Sequence, residues 1–507
     1  MKQIIILTTY LLIININVFA QGTQNEISWP TLADSDWPMI KHDPQFTGRS
    51  PYKGPQTPTV VWQKDIPDGI YCGPVIGEDD NLYFGSYYQL LDSSDNFYSY
   101  TSDGEIRWKY KLGNNRPPQS GIVIDSSNTI YFGALDQYFY ALNPDGTLKW
   151  RYKTGYITEL IIPNIDTVGN LYVTNNPEGD LLSIASDGTL NWKINFDSGF
   201  LLKSPAMSPD GEALYIAGKD SDLYAIDLDG NLIWKFKCGL FRHPPVVDND
   251  GNIYFIPEES PQKLYSLKPD GEVRWTVTIS SGSIYIYSTP TIDSQGNIYL
   301  AQYNRLFSYK YDGSFRWRYV FDDSTLATTE EIWQPLICDS EGTIYLGSTY
   351  GMYYYAISSE GELKWKLPLD GNQVDNTGAI TKDGTLFLGL HVSSMWNQNE
   401  KNLIAIKDTS QSNITDHTLC TRFKLSQNYP NPFNPITTIK YDIPNKTDVN
   451  LSVYDITGRL VDNLVNRTQS AGSYSVQWNA SNVSSGVYIY RIDAGEFISV
   501  KKCLVVK

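Results

Sequence analysis

The sequence predicts an all-β protein, in which an eight-bladed β-propeller is followed by a small antiparallel β-sandwich. Three observations lead to this prediction. A tryptophan recurs about every 42 residues through the middle of the chain, the segments between these tryptophans alternate apolar and polar residues, and the last 87 residues differ from the rest in charge. A length of 507 residues with 41% hydrophobic residues supports two or more packed domains.

The first twenty residues predict a secretory signal peptide. Lys2 precedes an apolar run from Ile4 to Phe19, and the small-residue cleavage site lies between Ala20 and Gln21. The run is shorter than the roughly 20 apolar residues that cross a bilayer, and no later segment is apolar enough to do so. We therefore expect export without a transmembrane segment, and we assign residues 21–58 as a lead-in to the repeats.

The repeats extend over residues 59–408. They are marked by eight tryptophans at intervals of 46, 42, 42, 42, 41, 42 and 48 residues: Trp62, Trp108, Trp150, Trp192, Trp234, Trp275, Trp317 and Trp365. Each copy contains about four short runs of β pattern, and an Asp-Gly pair joins the last two runs, as a tight hairpin requires. Four strands in each of eight copies predict a propeller.

The two ends of the array favour a closed ring over an open β-solenoid. The last copy ends with the apolar run 403–406, which lacks a partner strand, and the first copy begins with the spare run 59–62. We expect these two runs to pair, because such pairing leaves no open sheet edge.

Charge and cysteine usage narrow the classes of partner. Acidic residues exceed basic residues by 56 to 40, and the net charge of −16 disfavours nucleic acid and anionic membranes as partners. The cysteines and histidines show no metal-ligand spacing, so we expect no metal site and interpret each histidine as a surface or loop residue. They are Cys72, Cys238, Cys338, Cys420, Cys503, His42, His243, His391 and His417. The spacing leaves open whether Cys420 and Cys503 pair.

Asp-x-x-Gly segments recur between the predicted strands, beginning at Asp166, Asp248, Asp293 and Asp339. A calcium loop is one interpretation, because calcium prefers several oxygen ligands. Tight turns also favour Asp and Gly, and the segments lack the further acidic ligands of a calcium loop, so we favour turns. The 37 tyrosines suggest either sugar-stacking surfaces or blade packing, and their alternation within strands favours packing.

The chain changes character after Asp408. Residues 409–424 are polar and predict a linker, and residues 425–507 predict the sandwich. The last 87 residues carry a net charge of +4, against −21 for residues 21–420. Their pattern predicts strands at 437–443, 448–455, 474–479, 486–492 and 499–506.

The repeats resemble those of the pyrroloquinoline-quinone-type propeller superfamily. The Ala…Gly…Trp motif of that superfamily is matched, for example, by Ala141, Gly146 and Trp150, and the segment 36–49 resembles the lead-in to its first blade. The resemblance covers about residues 35–408. It implies that the eight tryptophans are structural and pack between neighbouring blades.

That superfamily contains both redox enzymes and non-catalytic scaffolds. Its quinone-dependent dehydrogenases have long insertions and commonly use adjacent cysteines with a calcium ion, whereas this chain has short repeats and no adjacent cysteines. The resemblance therefore implies a scaffold for an unknown protein or glycan ligand, without a cofactor, a metal or catalytic residues. The alternative is an extracellular enzyme, either a quinone-dependent dehydrogenase or a carboxylate-based hydrolase acting on carbohydrate.

The tail closely resembles the C-terminal sorting domain of the type IX secretion pathway, an Ig-like family similar to the flagellar hook-capping module. The segments 425–439, 453–459 and 485–491 and the pair Lys501-Lys502 carry this resemblance. It implies recognition by an outer-membrane translocon and a location outside, or on the surface of, a Gram-negative bacterium. An adhesive Ig-like module that stays on the chain is the alternative.

Overall fold

The computed structural model describes residues 22–66, 69–86, 96–112, 118–155, 161–175, 179–196, 203–218, 220–241, 243–280, 288–321, 332, 335–348, 353–369, 372–374, 377–392, 402–408, 424–425, 428, 431–443, 446–469, 472–495 and 497–507. These residues form β-strands, turns and loops, in two compact units that divide between Asp408 and Thr409. Within these ranges, no helix has the length and hydropathy to cross a membrane.

The described part of the first unit contains eight four-stranded antiparallel sheets, numbered 1 to 8 along the chain, and two short ribbons. The strands of each sheet are given in pairing order, from the first to the fourth. Sheets 1 to 4 contain Ile70–Ile76, Leu82–Ser86, Asn96–Tyr100 and Ile106–Lys111 (sheet 1); Pro118–Ile124, Ile130–Ala134, Tyr138–Leu142 and Leu148–Lys153 (sheet 2); Asn164–Ile165, Leu171–Thr174, Asp180–Ile184 and Leu190–Asn195 (sheet 3); and Ala206–Met207, Ala213–Ala217, Asp222–Asp227 and Leu232–Lys237 (sheet 4). Sheets 5 to 8 contain Val246–Val247, Ile253–Phe255, Gln262–Leu267 and Val273–Ser280 (sheet 5); Thr291–Ile292, Ile298–Gln302, Arg305–Tyr309 and Phe315–Val320 (sheet 6); Ile337–Cys338, Ile344–Gly347, Tyr353–Ile357 and Leu363–Pro368 (sheet 7); and Ala379–Ile380, Leu386–Gly389, Leu403–Lys407 and Thr59–Lys64 (sheet 8). The ribbons pair Leu240–Phe241 with Pro257–Glu258 and Asn372–Gln373 with His391–Val392.

Burial differs from strand to strand within a sheet, as a propeller requires. Leu82–Ser86 is buried at every position, whereas Ile106–Lys111, the fourth strand of the same sheet, alternates between exposed and half-buried positions. First strands of neighbouring sheets contact one another, which places them towards the centre of the ring. The middle strands are therefore covered by neighbouring sheets on both faces, and the fourth strands lie at the rim.

The eight repeat tryptophans join each sheet to the next. Each indole N–H donates to a backbone carbonyl at 2.8–3.1 Å: Trp62 to Ser102, Trp108 to Pro144, Trp150 to Ser186, Trp192 to Leu228, Trp234 to Pro269, Trp275 to Tyr311, Trp317 to Ser359 and Trp365 to Pro55. Seven of these carbonyls belong to the hairpin between the third and fourth strands of the following sheet. In that hairpin Gly146 has a φ of 84°, and a Cβ there would lie 2.6 Å from the Trp108 ring, so both the turn and the close approach require glycine.

The ring closes as the sequence predicts. Thr59–Lys64 pairs antiparallel with Leu403–Lys407, and Trp62 lies opposite Ala405. Sheet 8 takes its fourth strand from the N-terminal side of the chain and so has no hairpin between its third and fourth strands. The Pro55 carbonyl, four residues before the closing strand, accepts the Trp365 indole N–H in place of a hairpin carbonyl.

The Asp-x-x-Gly segments form turns between first and second strands. In sheet 3, the Asp166 carboxylate accepts the backbone N–H groups of Val168 and Asn170 at 3.0 and 2.8 Å and the hydroxyl of Tyr172 at 3.0 Å. The same aspartate–tyrosine bond, six residues apart, recurs in sheets 2, 5, 6 and 7, where it joins Asp125 to Tyr131, Asp248 to Tyr254, Asp293 to Tyr299 and Asp339 to Tyr345. This repeated bond gives buried tyrosines a role in packing, and it supports the turn interpretation of the aspartates.

The second unit is a two-sheet sandwich. One sheet contains Lys424–Leu425, Ile436–Ile443 and Gly472–Asn479, and the other contains Leu460–Gln469, Thr447–Asp455, Gly486–Ala494 and Phe497–Val505. Its core includes Tyr441, Trp478 and Tyr490, each at most 1% exposed. This arrangement is compatible with the expected Ig-like fold.

Two strands of the sandwich are missing from the sequence prediction: the short strand Lys424–Leu425, which begins at the last residue of the predicted linker, and the long strand Leu460–Gln469. The long strand has a physical explanation. Its apolar residues occur as adjacent pairs, Leu460-Val461 and Leu464-Val465, instead of alternating. The pairing register shifts between Leu451, opposite Val465, and Ser452, opposite Asn463. A bulge of this kind resets the two-residue period, and the strand lies at an edge, so the periodic signal is lost.

We predict that Trp365 contributes strongly to the stability of the ring. Its side chain is 5% exposed and its N–H is bonded, so Trp365→Ala should lower the free energy of unfolding by about 3–5 kcal/mol, measured by denaturant titration. Ile233→Ala is the control, since Ile233 is an apolar fourth-strand residue that is 53% exposed, and it should change this free energy by only about 0.5 kcal/mol. Equal effects of the two substitutions would contradict the assignment.

Candidate binding pocket at the N-terminal lead-in

The described lead-in, residues 22–58, runs along the first strands of the sheets. Six backbone N–H groups of these strands, in sheets 1, 2 and 4–7, donate to its carbonyls: Ile76 to Trp37, Ile124 to Pro38, Met207 to Pro44, Val247 to Gln45, Ile292 to Thr47 and Cys338 to Gly48. In sheet 3, the Asn164 side-chain amide donates to the Pro44 carbonyl at 2.7 Å. The lead-in therefore supplies hydrogen-bond acceptors to backbone N–H groups on the edge of these first strands where no further strand of the described residues pairs with them.

The lead-in bends tightly to follow the first strands. Lys41, His42, Phe46 and Gly48 all have positive φ, between 60° and 74°. A Cβ at Gly48 would lie 2.8 Å from the Leu336 carbonyl oxygen and 2.9 Å from the Lys41 Nζ. Glycine is thus required at position 48 both by the backbone conformation and by the packing of the lysine ammonium.

Lys41 is completely buried between sheets 6 and 7. Its ammonium donates to the Pro290 carbonyl at 3.1 Å, the Thr291 hydroxyl at 2.9 Å and the Leu336 carbonyl at 3.2 Å. Burial lowers the pKa of Lys41 to about 7, although the nearby Cys338 and Asp43 act in the opposite direction. Burial also raises the pKa of the Cys338 thiol well above its ordinary value.

A pocket of about 780 Å³ opens between the lead-in and the turns of the sheets. Most of its lining residues lie between Gln24 and Pro51, and sheets 1, 2, 6 and 7 contribute Glu78, Ser126, Ser294 and Ser340. These four residues occupy equivalent positions, the second residue after the first strand in each case. The volume falls within the range of small-molecule and cofactor sites, roughly 300–1,000 Å³.

The inner part of the pocket lining contains the buried residues His42 and Arg49 and the half-buried Asp43. His42 is 5% exposed, its ring packs edge-on against Trp37 with 4.9 Å between centroids, and its Nδ1 has no hydrogen-bond partner in the described residues. That nitrogen lies 3.8 Å from the Asp43 carboxylate. Burial would raise the pKa of Asp43, but the His42 ring, the Arg49 guanidinium and the Thr47 hydroxyl outweigh it, and the pKa is lowered.

The rim of the pocket is acidic. Glu26, Asp34 and Glu78 are exposed lining residues. Burial first, and then the charges of Asp36, Glu26 and Asp34, together raise the pKa of the adjacent Tyr52 hydroxyl to about 12. Glu26, Asp34 and Asp36 therefore lie close enough together to act on one group.

Of the tryptophans, cysteines and histidines singled out from the sequence, His42 alone lines this pocket in the described part of the chain. The eight tryptophans lie on fourth strands, and the lining contains none of them in the described part of the chain. His42 lies in a turn, as a loop residue does, but it is buried and not at the surface. Ala20, Gln21, Cys420 and His417 lie outside the described residues, and Cys72, Cys238, Cys338 and Cys503 are free thiols.

No cluster suited to a metal ion is present within the described residues, counting groups of three or more His, Cys, Asp or Glu side chains. The sequence signal for the pocket is local: the lining residues His42, Asp43 and Arg49 come within eight residues of one another in the lead-in. Nothing in that pattern shows which of them are buried.

Comparison with known families identifies the propeller. The sequence model of the family described as outer membrane protein assembly factor BamB matches three overlapping stretches, residues 54–199, 162–282 and 219–416, which together span more than half of the chain. The chain belongs to this BamB family. The residues that line the pocket in the lead-in precede the matched stretches, so family membership does not account for them.

The tail of this BamB-family chain matches a second model, described as a secretion system C-terminal sorting domain, over residues 427–507. The protein is therefore secreted or displayed on the cell surface of a Gram-negative bacterium, and its tail interacts with the secretion system. No curated protein matches the chain.

Solved structures similar to the BamB-family propeller share its fold at low sequence identity. BamB from Moraxella catarrhalis is 13% identical, with 69% of this chain and 99% of that chain covered and a TM-score of 0.51. Chaetomium thermophilum Sqt1, bound to the N-terminus of the ribosomal protein L10, is 10% identical, with 69% and 100% covered and a TM-score of 0.53. The Dos1 propeller is 13% identical, with 70% and 96% covered and a TM-score of 0.50.

We predict that Lys41 makes the stability of the propeller depend on pH. Its pKa is about 7 in the folded protein and 10.5 for an ordinary lysine, so between these pH values the unfolded chain binds more protons. The contribution of Lys41 to the free energy of unfolding should therefore rise with pH across this window, by about 1 kcal/mol per pH unit.

Denaturant titrations of the wild type and Lys41→Met between about pH 7.5 and 9.5 measure this contribution. The difference between the two proteins should grow with pH in favour of the wild type. Lys53→Met is the control, because Lys53 is exposed and paired with Glu341 at 2.8 Å, and it should show no such trend. Parallel stability curves for the wild type and Lys41→Met would show that Lys41 does not titrate in this window.

Proposed function

We propose that this protein is a non-catalytic binding module of the cell exterior, in which the propeller is the scaffold and the lead-in pocket is the ligand site. The main support for the proposal is that the lead-in, which is bonded to the sheets, forms most of the pocket wall. The backbone carbonyls of two of its lining residues, Pro38 and Pro44, accept N–H groups from the first strands of sheets 2 and 4. A wall fixed in this way is pre-organised, and pre-organisation lowers the entropic cost of binding.

The location of the protein supports a binding role. A secreted or surface-displayed protein meets soluble, surface-attached and glycan ligands, and a concave site lined by a few polar groups is the usual form of a ligand site. The fold neighbour Sqt1 is bound to the N-terminus of a ribosomal protein, which shows that a protein of this fold class can bind a peptide segment. A protein ligand is therefore as suitable as a glycan.

Thermal melting of the purified protein with a panel of amines, amino acids, carboxylates, sugars and short peptides tests the proposal. We expect at least one class to raise the melting temperature, because a ligand that binds only the folded state stabilises it. Ser28→Trp is designed to fill the pocket from its exposed wall and should abolish the shift, while Ser359→Trp, at the rim of sheet 7, should retain it.

Two outcomes would contradict the proposal. If Ser28→Trp responds like the wild type, the ligand binds elsewhere. If mass spectrometry recovers the ligand chemically changed, the protein is an enzyme, and the carboxylate-based hydrolase becomes the better interpretation.

We further propose that both ends of the chain are processed during export. The mature protein should begin at Gln21, and the sorting domain after about Leu425 should be removed once the translocon has recognised it. Peptide mass spectrometry of the surface fraction of the native bacterium measures both ends. Intact Lys507 on most surface molecules would instead favour a tail that stays attached as an adhesive module.

A further inference from the structure

We infer that the lead-in pocket binds an organic cation, meaning a ligand that presents an ammonium or guanidinium group. This inference rests on the binding role proposed above and adds the chemical class of the ligand. It is carried by three features of the pocket: the charge of its lining, an unpartnered buried nitrogen, and the way in which its arginine is already bonded.

The charge of the lining favours a cation. Four carboxylates, those of Glu26, Asp34, Asp43 and Glu78, line the pocket in the described residues, against one guanidinium, that of Arg49. Three of these carboxylates are exposed at the rim, where the field of several like charges raises the local concentration of cations. Asp36 lies near this rim as well, since its charge acts on Tyr52 together with those of Glu26 and Asp34.

His42 supplies an independent observation. Its side chain is 6% exposed and lines the pocket, and its Nδ1 lacks a hydrogen-bond partner in the part of the chain that the structure describes. A buried polar nitrogen without a partner is costly, and such a group commonly indicates a missing ligand or water. The Asp43 carboxylate lies 3.8 Å away. A ligand N–H donor bound here can donate to the imidazole lone pair, and the Asp43 charge then stabilises the ligand cation.

Arg49 argues against an anionic ligand. Its guanidinium already donates to the Asp293 carbonyl at 3.4 Å, the Asn25 carbonyl at 3.0 Å and the Asn249 side-chain oxygen at 3.3 Å. It is also 7% exposed and lies close enough to Asp43 to lower the pKa of that carboxyl. Its N–H groups thus fix the lead-in to sheets 5 and 6, and a carboxylate or phosphate ligand would have to displace these bonds.

The test measures binding of four probes to the full-length purified protein by isothermal titration calorimetry. The probes are spermidine, the capped peptide Gly-Arg-Lys-Gly, its neutral counterpart Gly-Gln-Gln-Gly, and inorganic phosphate. We expect a cationic probe to bind and the neutral peptide and phosphate not to bind. Added salt should weaken the binding, because it screens charge at the rim.

Variants place the binding in the pocket. Glu26→Gln combined with Asp34→Asn removes two exposed charges and should raise the dissociation constant about fivefold or more without changing the melting temperature of the free protein. His42→Phe removes the unpartnered nitrogen and should weaken binding further. Since His42 is buried, its result counts only if the melting curve matches that of the wild type, and the exposed double variant does not depend on this condition. Glu362→Gln, an exposed carboxylate on the hairpin of sheet 7, is the matched control and should bind like the wild type.

The outcomes separate the two proposals. Binding of spermidine alone identifies a free polyamine as the source of the cation, and binding of the basic peptide alone identifies a peptide side chain. Equal binding of the neutral peptide, or an unchanged dissociation constant in the double variant, overturns the inference of a cationic ligand. If a sugar or a carboxylate from the thermal panel binds in the pocket and neither cationic probe does, the proposed binding role is retained and the inference of a cationic ligand is wrong. If nothing in the panel binds, both fail.

Discussion

A four-stranded sheet has two edges, and the backbone groups along both edges need partners. This requirement is repeated eight times in the described part of the propeller, and the N-terminal segment meets it at two places. Thr59–Lys64 pairs with Leu403–Lys407 and completes sheet 8. The preceding lead-in accepts N–H groups from the first strands of six sheets. A segment of about 40 residues thus closes the array by pairing with its last sheet and also accepts hydrogen bonds from the first strands near its centre.

The candidate site is a consequence of this arrangement. To follow the first strands, the lead-in turns through residues with positive φ, and these turns bury Lys41 and His42 among the sheets. Lys41 finds three oxygen acceptors, so its burial is compensated within the fold. His42 finds a ring neighbour in Trp37 but no hydrogen-bond partner for Nδ1 in the described residues. The polar group of Lys41 is therefore satisfied within the fold, whereas the Nδ1 of the adjacent His42 is not satisfied by a hydrogen bond within the described residues.

Most of the fold could be predicted from the sequence because its features are periodic. The tryptophan spacing, the Asp-Gly hairpins and the spare strand at each end all follow from a repeated unit, and the closing pair 59–64 with 403–407 was predictable for that reason. The edge strand Leu460–Gln469 was not, because a bulge interrupts its alternation. The pocket was not predictable either. It depends on backbone carbonyls of a segment that does not repeat, and neither positive φ at His42 nor a bond from Ile292 to Thr47 leaves a pattern in residue types.

A ring of similar sheets offers similar turns on every side, so selective binding of a small ligand requires something that breaks this symmetry. The lead-in does so. The position that supplies Ser126 and Ser294 to the pocket is occupied in sheet 5 by Asn249, which bonds to Gln24 and Asn25, and in sheet 8 by Lys382, whose N–H donates to Asp36. Some equivalent turns are therefore covered by the lead-in while others line the cavity. The repeats supply a rigid frame, and the non-repeating lead-in determines which of the equivalent turns border the cavity.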